Sequence, residues 1–209
     1  MAHLLATIGP RIVIPTFFVG QKIRTMTDIG KIFQTAAFSV FFVSSVVLIF
    51  QGDIWLSLIP GVAAISYYSM LEDPNNTQTY RYVDWLVTTP LMLLAILFAN
   101  HSSLFVVLGV VILDLLMIGM GYLGVREPDI KKKWAPFTVG CLLLIPILYV
   151  LFQQKNYRVA IYLTILIWIL YPAVWAVEEA QLLTEKVITC IYSVLDVIVK
   201  VGLVYLLQA

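Results

Sequence analysis

The sequence KVITCIYSVLDVIVKVGLVYLLQ, residues 186–208, is long and apolar enough to cross the ~30 Å hydrocarbon core of a bilayer as one α-helix. Its centre carries Asp196 and Lys200, which are four residues apart and therefore share one face of that helix. A charge at the bilayer centre costs about 3 kcal/mol. The pair therefore predicts a helix whose polar face points into a bundle of further helices.

The rest of the chain shares this apolar character. Of its 209 residues, 61% are hydrophobic and 12% are charged, and the mean hydropathy is +0.96. Soluble domains are about one quarter charged. Seven spans are predicted, at residues 33–51, 54–71, 79–99, 103–124, 134–152, 159–177 and 186–208. Because the breaks between them are short, consecutive helices should pack antiparallel. The predicted fold class is an all-α, seven-transmembrane-helix up-and-down bundle, one multi-pass integral membrane domain at residues 33–209.

Charge and cysteine content argue against several other classes of protein. The formal net charge is +1 and the chain has no glycine-rich phosphate loop, so no nucleic-acid partner is expected. Cys141 and Cys190 both fall within apolar runs, which argues against a disulfide framework or a metal site. We therefore expect a protein that is not an enzyme and whose first partner is the lipid bilayer.

Residues 1–32 form a separate segment. Residues 1–18 are fairly apolar but are interrupted by Pro10, Arg11 and Pro15, and three basic residues follow before residue 33. A signal peptide carries its positive charge before the apolar region, so this order does not fit one. We predict an amphipathic or re-entrant segment at the membrane surface, with a disordered tail as the alternative.

A few ionisable residues lie inside the predicted spans. They are Arg81, Asp84, Asp114, Asp196 and Lys200. Arg81 and Asp84 share a face of the third helix because they are three residues apart. Two carboxylates and one arginine around one lysine make a compensated cluster, and the cost of burying charge favours a functional role. A purely stabilising network of salt bridges is the alternative, but it would not account for the aromatic residues nearby.

Aromatic residues recur at the depth of this cluster. Residues 81–91 read RYVDWLVTTPL and residues 168–175 read WILYPAVW, with aromatic side chains in the second run at spacings of three and four. In a soluble protein such a stripe usually belongs to the core. Beside a buried lysine, flat rings on facing helices also suit a slot for a flat polyene.

These segments resemble the signature helices of the microbial (type 1) rhodopsins, the bacteriorhodopsin-like family. The likeness rests on Arg-Tyr-x-Asp-Trp-x-x-Thr-Thr-Pro at 81–90 and Leu-Asp-x-x-x-Lys at 195–200. Residues 59–70 are similar to the family's second helix and residues 114–121 to its fourth, so the resemblance covers nearly all of the chain after residue 33. A weaker likeness, to the viral rhodopsins of giant algal viruses, rests on the N-terminal segment and on a missing carboxylate.

The resemblance implies a cofactor and a role for each matching residue. All-trans retinal would be bound as a protonated Schiff base on Lys200, with Asp84 and Asp196 as counterions. Arg81 would close the cluster through water, and Asp84 would accept the Schiff-base proton after illumination. Thr88 shares the face of Asp84. The expected pocket residues are Trp85, Thr89, Met92, Asp114, Met117, Gly121, Trp134, Trp168, Tyr171 and Trp175. Two of these tryptophans, Trp85 and Trp168, would enclose the polyene, and Asp114 would be a protonated, hydrogen-bonding aspartate.

One position departs from the family's efficient proton pumps. They carry a carboxylate eleven residues after the Asp84 position, where it reprotonates the Schiff base, and this chain has Ala95. Reprotonation would then come slowly from water, which predicts a slow photocycle and a weak pump. At the opposite end, Glu178, Glu179 and Glu185 could release a proton, but a solvated acidic loop is the favoured interpretation.

The residues also narrow the transported ion. Asp84 argues against a chloride pump of the family, in which this site is neutral, and the asparagine of the sodium pumps is absent here. The second helix lacks the glutamates of channel-type relatives, although Ser57, Ser66 and Ser69 could support a file of water. The first hypothesis is a slow, weak light-driven proton pump. The alternatives are a light-gated channel for protons or small cations and a sensory photoreceptor.

The distribution of basic residues leaves the orientation open. The family's topology would place nine of the thirteen basic residues outside the cell and only Lys155 and Arg158 inside. The positive-inside rule favours the inverted arrangement. Family members often form trimers or pentamers, so the resemblance implies a homo-oligomer of this kind.

Overall fold

The computed structural model describes residues 29–209, so most of the predicted N-terminal segment lies outside the described residues. Within this range the chain forms seven α-helices and a short 3-10 turn at Pro74–Asn76, and the range contains no strand. The helices are α1 (Ile29–Phe50), α2 (Ile54–Glu72), α3 (Thr77–Ala99), α4 (Leu104–Arg126), α5 (Ile130–Phe152), α6 (Arg158–Glu179) and α7 (Glu185–Gln208). All seven are long and apolar enough to cross a membrane, which confirms the predicted fold class.

Two helices begin about one turn earlier than predicted. α1 begins at Ile29 instead of residue 33, so the expected boundary between residues 32 and 33 lies inside this helix. α5 begins at Ile130 instead of residue 134, because the side chain of Asp129 accepts a hydrogen bond from the backbone N–H of Lys131 at 2.9 Å and caps the helix. The spans were predicted from runs of apolar residues. The first turns of α1 and α5 contain charged residues, so these runs do not include them.

The seven helices form a closed ring. Each helix packs on the next one in sequence, and α7 packs back on α1. α2 and α3 also contact α7, so α7 reaches the middle of the bundle and carries its polar face there. The backbones of α5 and α6 approach each other least closely among neighbouring helices, and aromatic side chains such as Phe137 and Trp175 pack between them. The ring therefore surrounds one interior with Lys200 at its centre.

Candidate functional site

A buried ion cluster joins α3 and α7. The Nζ atom of Lys200 donates to Oδ2 of Asp84 and lies 3.7 Å from Oδ2 of Asp196, and the side chains of all three residues are at most 1% exposed. The ring of Phe41 lies 5.6 Å from the same nitrogen and contributes a cation–π contact. The structure thus brings together the lysine and both carboxylates that the sequence pattern selects. Lys200 and Asp196 come from one helix face and Asp84 comes from the helix opposite.

The two carboxylates differ in their hydrogen-bond donors. Asp196 accepts from the hydroxyl of Tyr67 at 2.9 Å, from the indole N–H of Trp85 at 3.3 Å and from the hydroxyl of Tyr171. Oδ2 of Asp84 accepts from Lys200, but its Oδ1 is buried and has no hydrogen-bond partner among the described residues. Asp196 is therefore held by donors from three helices, whereas Asp84 keeps one oxygen with capacity to take a proton.

The contacts of Arg81 are with residues outside this cluster. Its guanidinium lies 3.9 Å from the centre of the Tyr192 ring, and its Nη1 atom lies 3.9 Å from Oε2 of Glu178 in the last turn of α6. Glu179, the next residue, pairs with Lys133 of α5 at 2.6 Å. The interpretation of these two glutamates as a solvated acidic loop is wrong, because both end a helix and are mostly buried against cations. Glu185 is exposed at the start of α7.

A cavity beside Lys200 contains most of the predicted pocket residues. The lining residues that were predicted are Trp85, Thr89, Met92, Met117, Gly121, Trp168, Tyr171, Trp175 and Lys200. The lining residues that were not predicted are Tyr82, Ile118, Phe137, Gly140, Cys141, Leu144, Pro172, Tyr192 and Val199. The cavity is therefore apolar and aromatic and is built from α3 to α7.

Two predicted pocket residues, Trp134 and Asp114, lie outside the lining, and so does Thr88, which was predicted beside Asp84. Trp134 is 39% exposed and packs edge-on against Trp175, whereas Phe137, one turn further along α5, lines the cavity and stacks on Trp175 at 4.3 Å. Asp114 is fully buried behind the wall and accepts from the hydroxyl of Thr89 at 2.7 Å. The remaining residue, Thr88, donates to the backbone carbonyl of Asp84. Helix periodicity could have identified Phe137, because it lies three and seven residues before the inward-facing Gly140 and Leu144.

The bundle has different chemistry on the two sides of Lys200. On the side where α3 and α7 begin, the interior contains Asp84, Arg81, Tyr192 and Glu178, and we call this side the polar half. On the side where α3 and α7 end, the interior is filled by the buried side chains of Ala95, Ile96, Leu97, Val107, Ile147, Leu151, Ile161, Leu203 and Val204. We call this side the apolar half. Buried hydroxyls also lie in this half, and two of them donate to carbonyls of their own helices: Thr164 to Ala160 and Ser57 to Ile54.

The lining residues fit retinal bound to the lysine. The cavity is lined mainly by apolar and aromatic side chains with a few polar groups among them, as small-molecule sites usually are. Gly121 keeps one wall flat, because a Cβ atom there would lie 3.0 Å from the Tyr82 ring. Of the lining residues in the described part of the chain, Lys200 alone carries an amine, so an apolar aldehyde in this cavity has one nitrogen to condense with.

Comparisons with known proteins agree with this site. Residues 23–209 match the sequence profile of the bacteriorhodopsin-like proteins. The chain is 33% identical to a bacterial rhodopsin of Haloarcula vallismortis over 74% of each chain, and 33% identical to sensory rhodopsin-1 of Halobacterium salinarum over 74% of this chain and 73% of that one. A proton-pumping rhodopsin from the alga Acetabularia acetabulum superimposes with a TM-score of 0.80 at 23% identity, covering 87% of this chain and 93% of that one.

The profile match covers all of the described residues, and the alignments with these relatives cover more than two thirds of the full chain. Family members bind retinal as a Schiff base on a lysine, and Lys200 is that lysine in this chain. The chain therefore belongs to the bacteriorhodopsin-like family of seven-helix membrane proteins, carries retinal on Lys200, and acts through light in ion transport or in sensing.

Proposed function

We propose that this protein is a slow, weak light-driven proton pump. The observation that carries the proposal is the direct contact between Lys200 and Asp84 on the border of two unlike halves. A proton acceptor touches the nitrogen on the polar side, and Ala95 stands where a proton donor would be needed on the apolar side.

The first step is a proton transfer from the Lys200 nitrogen to Asp84. Bound retinal supplies the absorption of light and the isomerisation that starts the transfer. Of the two carboxylates beside the nitrogen, Asp84 is in direct contact, whereas Asp196 is 3.7 Å away and already accepts three hydrogen bonds. A base within hydrogen-bond reach of the proton is the geometric requirement for such a transfer. The direct contact of Asp84 with the nitrogen, and the three hydrogen bonds that Asp196 already accepts, both support Asp84 as the acceptor.

The polar half offers the proton a way out. Arg81 is on α3 three residues before Asp84, and its guanidinium is paired with Glu178 near the end of the bundle. The side chain of Glu178 is 19% exposed, so it borders both the buried arginine and the solvent. A carboxylate in this place can pass a proton to water once charge on the Asp84 side changes, because Arg81 lies between the two groups.

The apolar half makes the return of a proton slow. Asp84 and Ala95 are eleven residues apart on one face of α3, so Ala95 lies three turns further into the apolar half. The side chains around it pack into one hydrophobic cluster that includes Ile96, Leu97 and Leu203. Water that brings a proton to Lys200 must first separate these side chains, and this requirement supports a long photocycle with low turnover.

A sensory photoreceptor is the second candidate. Its support is the 33% identity to sensory rhodopsin-1 of Halobacterium salinarum, compared with 29% to bacteriorhodopsin of the same species. A light-gated channel has less support, because the same apolar half would have to hold a continuous file of water. Of the three serines on α2, Ser57 and Ser69 donate to carbonyls of their own helix.

Light-driven pH changes in lipid vesicles test the proposal. Protein reconstituted with retinal should change the external pH slowly on illumination with no prior gradient, and a protonophore should abolish the change. Asp84→Asn is the matched control and should leave the pH constant. A visible pigment that completes its photocycle without any pH change would favour the sensor. A pH change that needs a pre-existing gradient would favour the channel.

A further inference from the structure

Two loops meet at the outer end of the apolar half. One joins α3 to α4 and the other joins α5 to α6, and side chains connect them. The side-chain amide of Asn100 pairs with the backbone of Asn156: its Oδ1 accepts from the N–H at 2.8 Å, and its Nδ2 donates to the carbonyl at 3.4 Å. The hydroxyl of Ser102 donates to Oε1 of Gln154 at 3.1 Å. These two pairs join residues 56 and 52 positions apart, and we call them the loop clamp.

The loop clamp is anchored on the buried end of α3. The Nδ2 atom of Asn100 also donates to the carbonyl of Ile96 at 3.0 Å, and the backbone N–H of Ser102 donates to the carbonyl of Leu97 at 2.9 Å. Ile96 and Leu97 are fully buried members of the hydrophobic cluster of the apolar half. The clamp is therefore built directly on the part of this cluster that lies closest to the end of α3.

The start of α6 depends on the same clamp. Helix starts are usually fixed by a local side chain that accepts from a first-turn N–H, but α6 begins without such a cap. Tyr157, its first flanking residue, has a φ of 56°, a left-handed conformation that is unfavourable for a residue with a side chain. Asn156, one position earlier, is instead held by Asn100 from another loop. Since Ile161 in the first turn of α6 is 1% exposed and belongs to the cluster, the clamp keeps that turn on the interior.

The two ends of α6 are held by interactions of different strength. At the polar end, Glu179 pairs with Lys133 at 2.6 Å and Trp175 stacks on Phe137 at 4.3 Å. At the apolar end, the clamp consists of hydrogen bonds between neutral groups, which are about half as strong as those between charged groups. The apolar end is therefore the end of α6 that opens more easily.

We propose that Asn100 is a positioning residue that keeps the apolar half closed to water and thereby sets the rate at which a proton returns to Lys200. Release of the loop clamp frees the first turn of α6 and lets water separate the side chains around Ala95. Asn100 is not among the residues that line the retinal cavity, so it acts through the packing of the cluster. The inference rests on the proposed return of a proton through the apolar half.

Recovery of the pigment after a flash, in retinal-loaded protein in lipid nanodiscs, tests the inference. Asn100→Ala removes the pairing with Asn156 and should speed recovery about tenfold. This factor corresponds to about 1.4 kcal/mol, the net contribution of one or two hydrogen bonds. Ser102→Ala removes only the bond to Gln154 and should speed recovery by a smaller factor.

The matched control is Gln208→Ala. Its side chain lies at the same end of the bundle, where it donates to Asp53 and Gln51 and ties α7 to the loop between α1 and α2. This variant also loses two hydrogen bonds between elements, but it leaves the loop clamp intact. It should therefore recover at the wild-type rate.

Sensitivity to water distinguishes control of water entry from a general loosening of the fold. Sucrose is excluded from protein surfaces and favours burial, so it should slow recovery of the wild type, in which opening takes up water. It should slow Asn100→Ala much less, because this variant is already open. The absorption maximum and the rate of proton transfer to Asp84 should match the wild type, because Asn100 lies outside the cavity lining.

Wild-type recovery in Asn100→Ala, acceleration of the same size in Gln208→Ala, or equal slowing of Asn100→Ala and wild type by sucrose would overturn the inference. If Asn100→Ala forms no pigment, Ser102→Ala decides: faster recovery supports the clamp, and an unchanged rate overturns it. Ala95→Asp separates this inference from the proposed function. If only Ala95→Asp accelerates recovery, the proposed return route stands and the clamp does not control it. If neither Ala95→Asp nor Asn100→Ala accelerates recovery, both proposals fail.

Discussion

The polar half and the apolar half have similar helical frames and unlike interiors. In the polar half, buried charges come in partnered sets: Lys200 with Asp84 and Asp196, and Arg81 with Glu178. In the apolar half, the buried side chains of the described residues are mostly aliphatic, and none of them is charged. Hydrogen-bonding and charged groups can relay a proton, whereas packed aliphatic groups cannot. We therefore expect release of a proton through the polar half to be much faster than its return through the apolar half.

The partnered sets also explain how the polar half tolerates its charges. An uncompensated charge near the bilayer centre costs about 3 kcal/mol, and the described part of the chain buries several in one cluster. Three donors from three helices hold Asp196, so the cluster is also a point at which α2, α3 and α6 are tied to α7. The interior of the apolar half is held mainly by packing of apolar side chains. Four substitutions test this division.

Lys200→Ala has the largest expected effect, because it removes the amine on the border of the two halves. Visible absorption should be lost completely, since no other lysine lines the described cavity. Absorption spectra after addition of retinal measure the effect. Lys132→Ala, at a side chain that is 73% exposed, is the control and should form normal pigment. A pigment with an unchanged maximum in Lys200→Ala would contradict the site.

Asp84→Asn removes the proton acceptor of the polar half. Proton transfer from the Lys200 nitrogen should slow by about 10²–10⁴-fold, because an amide cannot act as the base. Flash photolysis measures the appearance of the deprotonated pigment. Asp114→Asn is the matched control, since Asp114 is equally buried but is bonded to Thr89. If both variants transfer the proton at the wild-type rate, Asp84 is not the acceptor.

Ala95→Asp introduces a carboxylate into the apolar half and should weaken the contrast between the halves. Recovery of the pigment should accelerate by about 10²-fold, the lower end for a positioned acid. The decay time after a flash measures the effect. Ala95→Asn has nearly the same shape and polarity but no proton to give, so it should recover much more slowly than Ala95→Asp. Equal recovery rates in the two variants would show that the missing proton donor does not limit recovery of the pigment.

Tyr67→Phe has the smallest expected effect and tests the ties within the polar half. It removes one donor to Asp196, at 2.9 Å, from a side chain that is 2% exposed. The free energy of unfolding should fall by about 1–3 kcal/mol, because the bond is to a charged group. Thermal loss of pigment in detergent measures stability. Tyr149→Phe, at a side chain that is 64% exposed, should leave it unchanged.

Much of the fold was predictable, because apolar spans and short breaks are local features. All seven spans were identified, and the missed first turns of α1 and α5 are charged and lie outside the apolar runs. The cluster of Lys200, Asp84 and Asp196 was also predictable, because a charge inside the membrane is costly unless an opposite charge lies beside it. The Arg81–Glu178 pair was missed because Glu178 was assigned to a solvated loop, whereas it lies in the last turn of α6. Phe137 was missed because the family pattern pointed to Trp134, whereas the packing of α5 on α6 decides which ring lines the cavity.

The photocurrent under voltage clamp, with identical solutions on both sides of the membrane, tests the central claim most directly. Two unlike halves should rectify proton movement, so we predict a small steady current at zero voltage that is lost in Asp84→Asn and enlarged in Ala95→Asp. The sign of the current also gives the orientation of the chain. A current that vanishes at zero voltage and grows with applied voltage, or no current at any voltage, would contradict a pump.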